Sequence, residues 1–232
     1  IPTQNLIESL RAIKNSTEIS LITKACALTN KTFAYLKPLL TPKRTEIELA
    51  WLAEKYLRDH GADGLAFPII IASGKNSAVP HHTTSNRKIV KNDIVLIDIG
   101  CKVDGYCSDM TRTFFIGKPT SEMLKVETIV KSAHSAALSA IYDLPSTISV
   151  DRAARQVIEQ AGFGQYFIHG TGHGLGLDIH ELPSIGPRSA IYDLRSNMVI
   201  TIEPGIYLPG KFGYRHEDTI LITKTGYNIL TQ

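Results

Sequence analysis

VLIDIG (Val95–Gly100) and VITIEPG (Val199–Gly205) each run through aliphatic residues, reach one acid, and stop shortly after it at glycine. They lie about 105 residues apart. Short apolar runs rich in Val and Ile and closed by glycine read as strands, and an acid within such a run is costly unless it is paired, protonated or bound to metal. Taken alone, Asp98 or Glu203 reads equally well as an edge acid facing water. Two acids in equivalent positions weaken that reading.

The surroundings of the two stretches repeat as well. Upstream of the first, Asn15 to Glu18 forms an Asn-x-x-Glu cap, and Ile19, Ile22, Cys26, Phe33 and Leu36 fall on one helical stripe. A second box, Thr45 to Glu48, opens a helix running to about Arg58 and ended by Gly61. Ala66–Ala72 reads as a short strand, and Asp93–Gly100 with Tyr106–Ile116 as two strands around an Asp104-Gly105 turn. Upstream of the second stretch, Ser121–Tyr142 and Ser149–Gln160 again read as two helices, followed by strand signal and glycine-rich turns. The economical architecture is α+β: two duplicated units, each a helix pair plus antiparallel strands, packed around one curved sheet in a single domain over residues 1–232.

Each of these acids has a partner across a turn, Asp109 for Asp98 and Glu217 for Glu203. If Asp104-Gly105 is a two-residue hairpin loop, Asp98 lies opposite Thr111, and Asp109 sits one diagonal step away on the same face. The longer turn at Pro209-Gly210 leaves the second pair's register open. If all four carboxylates converge on one pocket they raise one another's pKa, and two divalent cations would balance them. Oxygen ligands with one imidazole suit manganese first, with cobalt, iron or zinc as further candidates, and a pair about 3.5 to 4 Å apart shares a bridging hydroxide as nucleophile.

The imidazole candidates lie in HGTGHGLGLDIHE (His169–Glu181), where glycines disfavour the helix that a His-x-x-x-His zinc motif needs and match neither a dinucleotide fingerprint nor a phosphate loop. Such a stretch instead lets backbone and imidazoles approach a ligand closely. His60, His82 and His134 read as hydrogen-bonded core or surface residues.

The 232 residues, 43% hydrophobic and 20% charged, suffice for a large core. A net charge of +3 without a basic cluster predicts neither nucleic-acid nor membrane binding. No apolar run has membrane-spanning length, and no secretory signal pattern opens the chain. Cys26, Cys101 and Cys107, an odd and unclustered set, predict reduced thiols in a cytoplasmic setting. The start at Ile1 predicts a trimmed or processed chain.

Asp98-Ile99-Gly100, Ser108-Asp109-Met110-Thr111-Arg112-Thr113, Gly172-His173-Gly174 with His180-Glu181, Ile202-Glu203-Pro204-Gly205 and Arg215-His216-Glu217-Asp218 resemble, in order and with eleven residues between the aspartates, the pita-bread metallopeptidases of the aminopeptidase P and prolidase branch. The resemblance implies a pita-bread fold and hydrolysis of N-terminal Xaa-Pro bonds. It makes Asp98, Asp109, His173, Glu203 and Glu217 metal ligands, with Asp109 and Glu217 bridging and Glu203 also the general base. It also makes His81 and His180 substrate-contacting catalytic histidines, and Arg215 a residue that orients Glu217 or a substrate carboxylate. It further implies a peptide substrate with proline second, a homodimer, and a separate N-terminal domain that this chain lacks.

Leu182-Pro183-Ser184 departs from prolidases that carry arginine there, which puts a strict dipeptidase in doubt. Methionine aminopeptidase, a non-catalytic binding module of the histone-chaperone kind and a metal-free creatine hydrolase are the competing readings. The filled ligand set argues against the last two.

Overall fold

The computed structural model describes residues 6–142 and 146–232. Helices α1 (Leu6–Ala12), α2 (Ser16–Leu36) and α3 (Glu46–Asp59) precede the first strands, and α4 (Ser121–Ala140) and α5 (Thr147–Gln160) precede the second set. Both expected capping boxes are present: Asn15 and Thr45 accept from the backbone of Glu18 and Glu48, whose carboxylates accept in return. Helix α5 starts two residues earlier than the sequence reading placed it, because Ser146 is the cap and Ser149 the reciprocal third residue. Helix α1 was not anticipated, and in place of the single strand expected over Ala66–Ala72 there are two shorter ones, Gly64–Leu65 just before it and Ile70–Ser73 at its end, with Pro68, which has no N–H to give a ladder, between them.

In the first unit, Ile70–Ser73, Asp93–Ile99 and Met110–Ile116 form an antiparallel sheet. Its apolar face packs with α2 and α3 through Leu28, Leu36, Leu49, Leu57, Val95 and Ile97. The turn is as expected, with φ of 48° at Asp104 and 82° at Gly105. One register runs from Val103 opposite Tyr106 through to Asp98 opposite Thr111.

The second unit repeats the plan with a five-stranded sheet in which Val199–Ile202 is central, flanked by Asp218–Thr223 and Gly172–Gly174. Helices α4 and α5 cover it through Val126, Val130, Ala154 and Ile158. The hairpin Gly205–Leu208 with Phe212–Arg215 continues the register of Ile202 opposite Asp218, so Glu203 and Glu217 sit at the interruption between two ladders. Pro204, lacking an N–H, accounts for the break. The strands therefore form four antiparallel sheets rather than the one curved sheet expected; Asp109, Glu203 and Glu217 fall between strands, whereas Asp98 lies within one, opposite Thr111. Among the described residues no helix is long and apolar enough to cross a membrane.

Candidate metal centre

A cavity of about 740 Å³ opens between the two units. Asp98, Asp109, His173, Glu203 and Glu217 line it, and so do His81, His180 and Arg215. Asp109, His173 and Glu217 bring ligand atoms within 4.8 Å of one another. His173 Nε2 lies 3.5 Å from both Asp109 Oδ2 and Glu203 Oε1.

Local structure aims these groups. His173 lies in the short strand Gly172–Gly174, and a Cβ on Gly172 would stand 1.9 Å from the Thr201 carbonyl oxygen. Only glycine lets this strand sit so close to its neighbour. His173 Nδ1 donates to the Gly174 carbonyl at 3.0 Å, a tautomer that leaves the Nε2 lone pair facing the acids. Burial lowers the His173 pKa, which keeps that lone pair available.

The acids are held at high electrostatic cost. Burial, followed by the charges of Glu217, Asp98 and Glu203, pushes Asp109 well above the ordinary carboxylate range. Glu217 is pushed up likewise, by burial and then by Glu203 and Asp98. Asp98 Oδ1 and Asp109 Oδ1 are buried without any hydrogen-bond partner. Orphaned carboxylate oxygens beside an available imidazole nitrogen fit hard or borderline divalent cations, which supply the missing partner and the missing positive charge together.

Arg215, 3% exposed, does not meet Glu217 directly. Its Nη2 donates to Asp98 Oδ2 at 2.6 Å, and its Nε donates to Thr111 Oγ1 at 3.0 Å. Thr111 Oγ1 in turn donates to Glu217 Oε2 at 2.6 Å, so one guanidinium steadies an acid from each unit. Its Nη1 donates to Tyr207 Oη at 2.8 Å, and Tyr207 lies 2.8 Å from His169 Nε2. The sequence reading missed Thr111 and Tyr207, and left His169 an imidazole candidate without a role. Thr111 was within reach of it, standing opposite Asp98 in the predicted hairpin; Tyr207 carried no signal. His180 stacks edge-on against His173 with centroids 4.4 Å apart, and burial, then the His173 charge, lowers its pKa.

An acid-and-imidazole cage between two halves of a duplicated α+β fold marks the class, and the sequence comparison gives the family. The chain belongs to metallopeptidase family M24, whose profile matches residues 20–224. It is 41% identical over 231 residues to the Xaa-Pro dipeptidase of Pyrococcus furiosus, covering 98% of this chain and 65% of that relative. Among solved structures it is similar to the prolidase from Pyrococcus furiosus, with a TM-score of 0.96 at 41% identity over 98% of this chain and 67% of that one. It is equally similar in fold to the X-Pro aminopeptidase from Thermotoga maritima, with a TM-score of 0.96 at 37% identity over 100% of this chain and 66% of that one. The pita-bread architecture expected from the motifs is thus present. The chain spans about two thirds of the length of these relatives.

Proposed function

We propose that this chain is the catalytic part of a two-metal exopeptidase that hydrolyses the bond between an N-terminal residue and proline. Asp98, Asp109, His173, Glu203 and Glu217 would hold the ions. The observation that carries this reading is the pair of buried, unpartnered oxygens, Asp98 Oδ1 and Asp109 Oδ1, in a cavity lined by four carboxylates and an imidazole. Kinship with Xaa-Pro dipeptidases supports proline at the second position. The oxygen-rich donor set favours manganese over softer ions. Three buried free thiols suit a reducing compartment such as the cytoplasm. A homodimer rests on the family resemblance alone.

When bound, the ions balance the carboxylates, polarise the substrate carbonyl and acidify a water. The chain's own groups do the rest. Glu203, beside His173 and contacted by Thr201 Oγ1 at 3.4 Å, takes the proton of the attacking water and returns it to the proline nitrogen as the C–N bond breaks. His180, kept neutral by burial, donates an N–H to the carbonyl oxygen as negative charge grows there, with His81 on the same cavity wall. Arg215 is committed to Asp98, Thr111 and Tyr207, which makes it a positioning residue for the cage rather than a receptor for a substrate carboxylate.

The test is release of the N-terminal residue from Ala-Pro and Ala-Pro-Gly by manganese-loaded protein, with a Met-Ala-Ser peptide alongside. Cleavage of the proline peptides, lost in Asp109→Asn, supports the reading. Cleavage of the methionyl peptide alone, or full activity in Asp109→Asn, overturns it.

A further inference from the structure

Glu217 and Asp218 are neighbours on one chain, and adjacent residues of an extended segment project to opposite faces. Glu217 lines the acid cage, while Asp218 meets His134 from α4 and His216 on the other side. Asp218 Oδ1 is occupied, accepting from Arg112 Nη2 at 2.5 Å and Thr231 Oγ1 at 2.8 Å. Asp218 Oδ2 faces two imidazoles: His134 Nε2 at 3.2 Å and His216 Nε2 at 3.5 Å. The two rings stand edge to face with centroids 4.8 Å apart.

We propose that His134, His216 and Asp218 form a third cation site, of the zinc class, on the face of the second sheet opposite the acid cage. Two imidazoles and one carboxylate oxygen are the donor set zinc prefers, whereas manganese and magnesium favour oxygen. Donors about 2.0 to 2.2 Å from a tetrahedral ion stand roughly 3.3 to 3.6 Å from one another, and the two distances to Asp218 Oδ2 lie close to that spacing.

A second, independent observation points the same way. His134 is 6% exposed, and its Nε2 makes no aligned hydrogen bond; among the described residues its only polar contact is the 3.2 Å approach to Asp218 Oδ2, the oxygen that would share the ion. Among the described residues only four buried side-chain atoms share that condition, and two of the others are Asp98 Oδ1 and Asp109 Oδ1 in the acid cage. The same signature therefore marks both clusters. On this proposal His134 is a ligand, where the sequence alone reads it as a hydrogen-bonded core or surface residue.

Arg112 already neutralises much of the Asp218 charge, so this site fills after the acid cage. Three protein ligands leave the fourth position to water. A bound ion pins α4 to the segment that carries Glu217.

The experiment is zinc saturation of the untagged protein followed by elemental analysis, together with an anomalous difference map at the zinc edge from zinc-soaked crystals. Three zinc ions per chain, falling to two in His134→Gln, with an anomalous peak among the three side chains, is the expected result. An ion count that does not fall in His134→Gln, or no peak at the cluster, overturns the proposal, whatever the count in the acid cage. If His134→Gln fails to fold, the wild-type map decides alone. Because bound metal is the readout, an inactive protein would defeat the peptidase reading without touching this one.

Discussion

Arg215 Nη2 lies 2.6 Å from Asp98 Oδ2, a buried ion pair that joins the strand Phe212–Arg215 of the second unit to the strand Asp93–Ile99 of the first. The guanidinium also reaches Thr111 and Tyr207, so it acts as the clasp between the two halves of the cage. Removing one member of a buried pair leaves the other charge stranded. Arg215→Met should cost about 3 to 5 kcal/mol of stability, read from urea midpoints. Arg215→Lys, which keeps the charge but not the fork, should fall between the two.

Gly172→Ala tests the close strand approach that sets His173. The added methyl meets the Thr201 carbonyl at 1.9 Å, so backbone must shift. We expect a loss of roughly 1 to 3 kcal/mol, together with weaker metal binding measured by equilibrium dialysis. Unchanged metal affinity would show that this strand does not position the imidazole.

Glu46, fully buried at the start of α3, accepts six hydrogen bonds, from Ser73 N and Oγ, Asn76 Nδ2, His82 Nε2, and Ser85 N and Oγ. These donors flank the segment that carries His81. Burial pushes its pKa up, but the bonds from Ser85, Ser73 and His82 outweigh burial, and the net shift from the ordinary 4.5 is downward. A carboxyl with a depressed folded pKa contributes stability that is present above its unfolded pKa and lost as pH falls through the folded value. Wild-type stability should therefore drop with pH below about 4.5, and Glu46→Gln should flatten that limb while lowering neutral-pH stability. Parallel acid limbs in the two proteins would contradict this.

If the ions bind the assembled cage and not the unfolded chain, as proposed, metal removal should soften the fold at neutral pH. Manganese at about 100 times its dissociation constant adds roughly 2.7 kcal/mol per site, which for a chain of this size is a rise of about 5 to 10 °C in Tm. Asp109→Asn should show a smaller rise on the same calorimetric titration.

Much of the site was legible because local rules fix it. Asp104-Gly105, with positive φ at both positions, demands a two-residue turn, and that turn alone puts Asp98 opposite Thr111 and Asp109 on the same face. The second pair was not legible. Its register depends on the turn after Leu208, closed by Lys211 N donating to the Leu208 carbonyl with Gly210 at φ 74°, and two-residue turn rules do not predict it. The partner of Arg215 could not be read either, since Asp98 lies 117 residues away and no local pattern joins them. The missed start of α5 is a case of one local signal masking another, since Ser146 and Ser149 are both capping residues.

The most direct test of the central claim is electron paramagnetic resonance of the metal-free protein titrated with manganese. Two ions about 3.5 to 4 Å apart in one cage predict uptake of two equivalents and an exchange-coupled multiline spectrum. Isolated six-line signals at every stoichiometry, or no uptake, would contradict a shared two-metal centre.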